Sequence, residues 1–449
     1  MISSTVDLVL KNAKIFTFKG IVTGGLAVDK GKIVKLSKEP ELPRADEAID
    51  AKGFLLLPGL IDSHVHLRDM ELSYKEDFYT GTCAAAAGGI TTVIDMPNTV
   101  PRTSSLKALR EKKQEAKKKI VINLAFYAGF PSRLGEVERM SKEGIVGFKV
   151  YSHDPLEEID WNNEEQALSY FEAATKNNLP VAIHPDDLET IKNLESDLKQ
   201  KKLSDIEVFL HSHPATTEKK AIIKFAEMGI KTSCRLHICH ISSMKSLTAI
   251  KEEQNRGAVL TCETTPHHLL LTEEDMRVHN TFAKVLPPLR TQEDNTALWA
   301  ALLDGRINTL ASDHAPHSIL EKQKPFPEAP SGFPGLETML PLMLTKVAHG
   351  DFRLEKLVEL TSSSPARIFK LENKGMLREG YDADMVLVDP EEKWKIDPEK
   401  FYSESKFSPF SGWKVVGKAK MTFAKGSCIM ADEQIIASKG SGSIVNIQP

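Results

Sequence analysis

The chain lacks most of the features that would mark it for a special environment. Its 449 residues hold five cysteines, an odd and sparse set that excludes a disulfide framework and points to a reducing compartment. No apolar run approaches the ~20 residues that a membrane-spanning helix requires. The charge imbalance is small, −4 overall, and gives no electrostatic reason to expect nucleic acid or a membrane as partner. The first residues, Met1-Ile2-Ser3-Ser4-Thr5-Val6-Asp7, have neither the basic nor the apolar region of a signal peptide. Cytoplasm is therefore the expected location. There are no internal repeats and no low-complexity tract. The glycine-rich nucleotide fingerprint is also missing, because Gly88-Gly89 follows a helical stretch and precedes a strand.

What is present is a soluble globular composition, 41% apolar and 27% charged, in a chain long enough for one large domain and a smaller one. Residues 6–50 read as short strands, with a hairpin signal at Asp29-Lys30-Gly31. From residue 54 the pattern becomes strand then helix, repeatedly. Strands are expected at 54–61, 91–95, 120–127, 146–151, 180–184, 235–240, 258–262 and 308–312. Helices are expected at 76–87, 104–118, 164–176, 217–228, 291–303 and 336–348. Several strands are almost wholly apolar, as in a parallel sheet covered on both faces. Eight such units predict an α/β fold, a (β/α)8 TIM-type barrel, with a doubly wound open sheet as the alternative. After residue 383 the pattern returns to β. The expected organisation is a barrel over 54–372 and a small β-sandwich formed by the N-terminal segment 1–53 and the C-terminal segment 373–449, the tail from Lys439 being loose.

The chemistry gathers at the predicted strand ends, where such a barrel carries its active site. His64 and His66 stand two apart on the first strand and so face one way. A lone His-x-His is more often an ordinary pair, but His184, His240 and Asp313 fall at later strand ends. Neutral imidazoles and a carboxylate suit a zinc-type ion. Lys149 lies inside the apolar run Val146-Gly147-Phe148-Lys149-Val150-Tyr151. A lysine there either snorkels from the strand end or, its pKa lowered by burial, adds CO2 and offers a carbamate to two ions. Asp313 reads as a ligand, a base or both. Two ions in such a site turn water into a nucleophile near neutral pH, which points to hydrolysis of amides or related bonds. Pro266-His267-His268 reads as structural support, and His211, His213, His279 and His349 receive no role.

These residues sit in motifs that resemble the cyclic-amidohydrolase branch of the amidohydrolase superfamily and, within it, the dihydroorotase family, including the dihydroorotase domain of the animal multifunctional pyrimidine enzyme. The motifs are Asp62-Ser63-His64-Val65-His66-Leu67-Arg68, Asp95-Met96-Pro97-Asn98-Thr99, Gly147-Phe148-Lys149-Val150-Tyr151, Cys262-Glu263-Thr264-Thr265-Pro266-His267-His268-Leu269, Ser312-Asp313-His314-Ala315-Pro316-His317 and Gly332-Phe333-Pro334-Gly335-Leu336-Glu337-Thr338. The resemblance implies two Zn2+ per chain. His64, His66 and Asp313 would hold one, His184 and His240 the other, with a CO2-derived carbamate on Lys149 between them. It implies Arg68, Asn98 and His317 as binders of a substrate carboxylate, Asp313 as the catalytic residue, and reversible cyclisation of N-carbamoyl-L-aspartate to L-dihydroorotate in pyrimidine biosynthesis. It implies a homodimer and an association with aspartate transcarbamoylase. The alternatives are a hydantoinase, dihydropyrimidinase or allantoinase, whose substrates lack the exocyclic carboxylate, and an inactive scaffolding homologue. Two departures from the resemblance stand out. Leu286 occupies a position where bacterial relatives often carry a polar substrate contact, and the loop Ser152 to Trp161 lacks the threonine of several relatives' closing loop.

Overall fold

The structure is a computed structural model that describes residues 5–152, 156 and 159–447. Eight parallel strands run in chain order around a barrel: β1 (Leu60–Val65), β2 (Ile90–Asp95), β3 (Asn123–Gly129), β4 (Gly147–Tyr151), β5 (Val181–His184), β6 (Leu236–Ile238), β7 (Leu260–Thr264) and β8 (Thr309–Leu310). Register is simple, as in Phe148 beside Val181 and Val181 beside Leu236. The ring closes past β8, where Val65 bridges His314 and the His66 N–H donates to the His314 carbonyl at 2.8 Å. Every residue of β1 to β6 is buried, which is what packing on both faces demands. Helices between the strands start on side-chain caps from Asp77, Ser105, Asn163, Asp187, Ser243 and Thr291. Each cap satisfies a backbone N–H that the first helical turn cannot.

The run 54–61, expected as one strand, divides at Gly59. Leu55–Pro58 pairs with Thr5–Thr17 and Met385–Lys395 in an outer sheet, while β1 begins the barrel. An added Cβ at Gly59 would stand 2.2 Å from the Thr91 hydroxyl, so only glycine lets the chain cross β2 this closely. The outer sheet has nine strands and takes its members from both ends of the chain. Its buried face includes Leu10, Ile15, Leu26, Leu56, Met385, Leu387 and Phe423. One buried junction ties it to the barrel. Lys374 Nζ donates to Asp382 at 2.9 Å and Asp384 at 2.6 Å, and Asp384 also accepts from the β3 amide of Asn123 at 3.1 Å.

The tail departs from the expectation. Ser443–Ile444 adds as a parallel strand beside Asn123 and Leu124 of β3. Gly442 makes this possible, since a Cβ there would meet the Ile122 carbonyl at 2.3 Å. Helices Leu188–Lys199, Asp205–Ser212 and Met244–Asn255 were also not foreseen. The first carries an apolar stripe at Leu188, Ile191, Leu194 and Leu198, the spacing of one helical face, although only Ile191 is fully buried. Among the described residues no helix is long and apolar enough to cross a membrane.

Candidate metal and substrate site

The expected ligands meet at the C-terminal mouth of the barrel. The Nε2 atoms of His64 and His66 each lie 3.3 Å from Asp313 Oδ1. His184 Nδ1 lies 2.9 Å from His240 Nε2, and the His64 and His240 rings are 5.1 Å apart, centre to centre. Ligand atoms of His64, His240 and Asp313 all fall within 4.8 Å of one another. His240 and Asp313 adopt positive φ, +31° and +48°, a strained geometry of the kind that collects at working sites. Lys149 reaches the same place from the middle of β4. Its side chain is buried, its ammonium donates to the Cys239 thiol at 2.8 Å, and its charge acts on His64, His184, His240 and Asp313. Among the described residues no carboxylate forms a salt bridge with it.

The hydrogen bonds behind the ligands decide what the site can hold. His64 Nδ1 faces the Glu263 carboxylate at 2.5 Å, and His66 Nδ1 faces Asn98 Oδ1 at 2.7 Å. Both partners are acceptors, so each Nδ1 carries the ring proton and each Nε2 turns a lone pair toward Asp313. Burial keeps the rings neutral, moving His66 down to about 3 and His184 and His240 well below the ordinary histidine value. Two imidazole lone pairs facing a carboxylate oxygen repel one another unless a cation lies between them. The donor set therefore fits divalent metal ions with nitrogen and oxygen ligands.

Glu263 is the residue the sequence reading passed over, although it lies in a quoted motif. It also accepts from His237 Nε2 at 3.0 Å and from the Ser63 hydroxyl at 3.1 Å. Burial opposes its ionisation, but His64 and His237 outweigh burial and hold its carboxyl well below the usual range. A charged residue inside the strand Leu260–Thr264 was the available signal. His268 proves structural, bonded to Thr265 at 2.9 Å and the Pro287 carbonyl at 3.1 Å.

Beside the ligands is a pocket of about 240 Å³, lined also by Arg68, Asn98, His317, Leu286 and Gly332. Arg68 does not pair with Asp69 or Glu71 at the surface. Asp69 is held by Lys119 at 2.9 Å and accepts from the Phe78 N–H at 2.8 Å. The run Arg68, Asp69, Met70 has three successive positive φ angles, which turns the guanidinium inward. Its Nε donates to the Pro316 carbonyl at 3.2 Å, and Nη2 lies 3.2 Å from His317 Nε2. His317 accepts at Nδ1 from Lys75 at 3.1 Å, so Nε2 carries the proton and donates to the Ser331 carbonyl at 3.0 Å. Burial, with the charges of Arg68 and Lys75, keeps this ring neutral. Asn98 orients His66 with its oxygen and retains its NH2 for the pocket. The closing-loop expectation falls partly on residues 153–155 and 157–158, which lie outside the described residues. A larger cavity of about 600 Å³, bordered by Leu340, Trp394 and Tyr402, contains none of the expected site residues.

Comparison with known proteins agrees with this geometry. The model of the amidohydrolase family matches residues 55–429. A dihydroorotase of Methanothermobacter thermautotrophicus is 36% identical over 97% of this chain and 96% of its own length. An L-hydantoinase of Paenarthrobacter aurescens is 33% identical over 98% of both. Among solved structures, the L-hydantoinase (dihydropyrimidinase) of Arthrobacter aurescens superposes with a TM-score of 0.94 at 32% identity, covering 98% of this chain and 100% of that one.

Proposed function

The chain belongs to the amidohydrolase family and is a cyclic amide hydrolase, and from that premise we propose that it is a zinc-dependent dihydroorotase. The observation that carries this reading is the grouping of a buried guanidinium, an amide and an imidazole at Arg68, Asn98 and His317 on the wall of the ligand pocket. A ring without an exocyclic carboxylate has no use for a desolvated cation at that position, whereas a carboxylate matches the guanidinium fork.

Two zinc ions, one at His64, His66 and Asp313 and one at His184 and His240, with Lys149 carried as a CO2 adduct between them, would supply Lewis acidity and lower the pKa of bound water. Arg68 and Asn98 hold the substrate carboxylate and so fix the ring carbonyl over the ligands. Asp313 takes the proton of the attacking water and delivers it to the departing ring nitrogen. In the synthetic direction it takes a proton from the carbamoyl nitrogen of carbamoyl-aspartate. Glu263 keeps His64 in the tautomer that presents Nε2.

A hydantoinase is the second reading, favoured by the likeness to L-hydantoinase and by the apolar Leu286 on the pocket wall. Steady-state rates with dihydroorotate, a 5-substituted L-hydantoin and allantoin, measured in parallel on protein assayed for zinc, separate the two. Dihydroorotate should be the preferred substrate, at close to two zinc per chain. Preference for the hydantoin would overturn the proposal. A homodimer, an association with aspartate transcarbamoylase and a cytoplasmic location accompany this reading as expectations for sedimentation, pull-down and fractionation.

A further inference from the structure

Two lysines outside the ligand cluster are buried without a carboxylate. Lys322 and Lys284 are 0% and 6% exposed, and among the described residues neither forms a salt bridge. Lys322 Nζ donates to the carbonyls of Pro330 and Gly332 at 2.8 and 2.9 Å. Lys284 Nζ donates to those of Phe326 and Ala329, both at 2.7 Å. Their remaining surroundings are aromatic. Lys284 lies over Phe326 and Phe209, 4.8 and 5.4 Å from the ring centres, and Lys322 lies 5.8 Å from that of Phe407. Glu195 and Glu321 are the acids that act on them from further away. The two are also tied together, since the Gly332 N–H donates to the Lys284 carbonyl at 2.9 Å and Thr281 donates to the Lys322 carbonyl.

All four carbonyls belong to one loop, 323–335, that has no helix or strand of its own. Carbonyls turned inward from a loop without helix or strand need donors from outside it, and burying two lysines to supply them carries a desolvation cost that the hydrogen bonds must offset. Its far end forms part of the substrate pocket. Gly332 packs so closely that an added Cβ would lie 2.6 Å from Ala315 Cβ and 3.4 Å from His317 Nε2. The Ser331 carbonyl receives the His317 Nε2 proton at 3.0 Å, and His317 lies against Arg68.

We propose that Lys322 and Lys284 are positioning residues, a pair of buried donors that hold the loop 323–335 against His317 and thereby set the Arg68–His317 wall of the substrate pocket. The proposal rests on the reading of that wall as the carboxylate site. Neither lysine touches substrate. Each acts through the carbonyls it binds, so the consequence falls on substrate affinity and not on the ligand cluster.

The test uses the full-length, metal-loaded protein. Lys322→Met should retain its metal and raise KM for dihydroorotate by about tenfold or more, with kcat changed by less than about threefold. KM for dihydrouracil, the same ring without the carboxylate, should move by less than about twofold. Amide hydrogen exchange in peptides covering 323–335 should speed up at least tenfold, with the barrel strands unchanged. Lys322→Gln, which keeps two N–H donors, should recover part of the affinity. If Lys322→Met does not fold, Lys284→Met, which frees the other half of the loop, is read in the same way. Unchanged exchange in 323–335, or equal KM effects on both rings, would overturn the proposal. Failure of the wild type to use dihydroorotate would instead strike the proposed function, and the exchange measurement would still judge the clamp.

Discussion

Arg68 is the residue on which the substrate assignment turns. Its guanidinium is buried, bonded to a backbone carbonyl, and not neutralised by Asp69, which Lys119 already holds. Arg68→Met should therefore leave the metal bound and cut dihydroorotate turnover by ~10² or more, the scale of a lost charged hydrogen bond together with a carboxylate left without a partner. A carboxylate-free ring should lose little. Parallel kcat/KM measurements decide, and equal losses on both substrates would mark the arginine as structural. Glu263 makes a different claim. It fixes the His64 proton on Nδ1, so Glu263→Gln, which can present an N–H to that nitrogen, should lower metal affinity or activity by about 10- to 100-fold. Metal titration against a competing chelator measures this, and wild-type affinity in the variant would remove Glu263 from the site.

At the scale of single elements, the loop 323–335 shows how charge and burial trade against each other. Burial, with the nearby charge of Lys284, pushes Lys322 down to about 7, and burial pushes Lys284 down to about 8. An unfolded lysine keeps its proton to about 10.4. Between roughly pH 7 and 10 the unfolded chain thus binds more protons than the folded one, and stability rises with pH. The melting temperature of the wild type, relative to Lys322→Met, should climb across that range in thermal scans. A flat difference would mean that the amine stays charged in the fold. Helix Leu188–Lys199, absent from the expected elements, nonetheless had a readable pattern, with Leu188, Ile191, Leu194 and Leu198 spaced along one helical face.

For the molecule as a whole, the question is what joins the barrel to the outer sheet. Lys374 bridges Asp382 and Asp384, and Asp384 reaches Asn123 on β3. Burial disfavours the Lys374 charge, but the two aspartates outweigh it and raise its pKa; burial likewise opposes the Asp382 charge, but Lys374 and Lys32 outweigh it and lower its pKa. The depressed acid contributes stability above its unfolded pKa near 3.8, and that contribution is lost as pH falls through the folded value. The raised lysine contributes below its unfolded pKa near 10.5, and that contribution is lost as pH rises through the folded value. Lys374→Met leaves the buried Asp384 without its cation and Asp382 with only the half-exposed Lys32, 2.6 Å away, and should cost about 3–5 kcal/mol near neutral pH, with substrate preference unchanged. Denaturant unfolding gives the cost, and a loss below about 1 kcal/mol would mean that the junction is dispensable.

The barrel and the candidate ligands that gather at its mouth were legible because both are written in local pattern. Buried parallel strands are continuous apolar runs, and His64, His66, Lys149, His184, His240 and Asp313 each interrupt or end one. Strand parity alone put His64 and His66 on one face. Other features depend on contacts between residues far apart in the chain and leave no such trace. The division of 54–61 at Gly59 follows from the approach of Thr91, and the docking of the tail follows from an open edge on β3. Glu263 supports the candidate ligand His64 only because β7 lies beside the turn that carries His240 and one strand removed from β1 in the closed barrel. The sequence by itself determined which side chains could do chemistry and on which strand ends they stand. The tertiary structure decided which of them hold protons for one another, which way Arg68 turns and what holds the pocket wall, because hydrogen-bond partners and burial are set by packing between segments that the sequence keeps hundreds of residues apart.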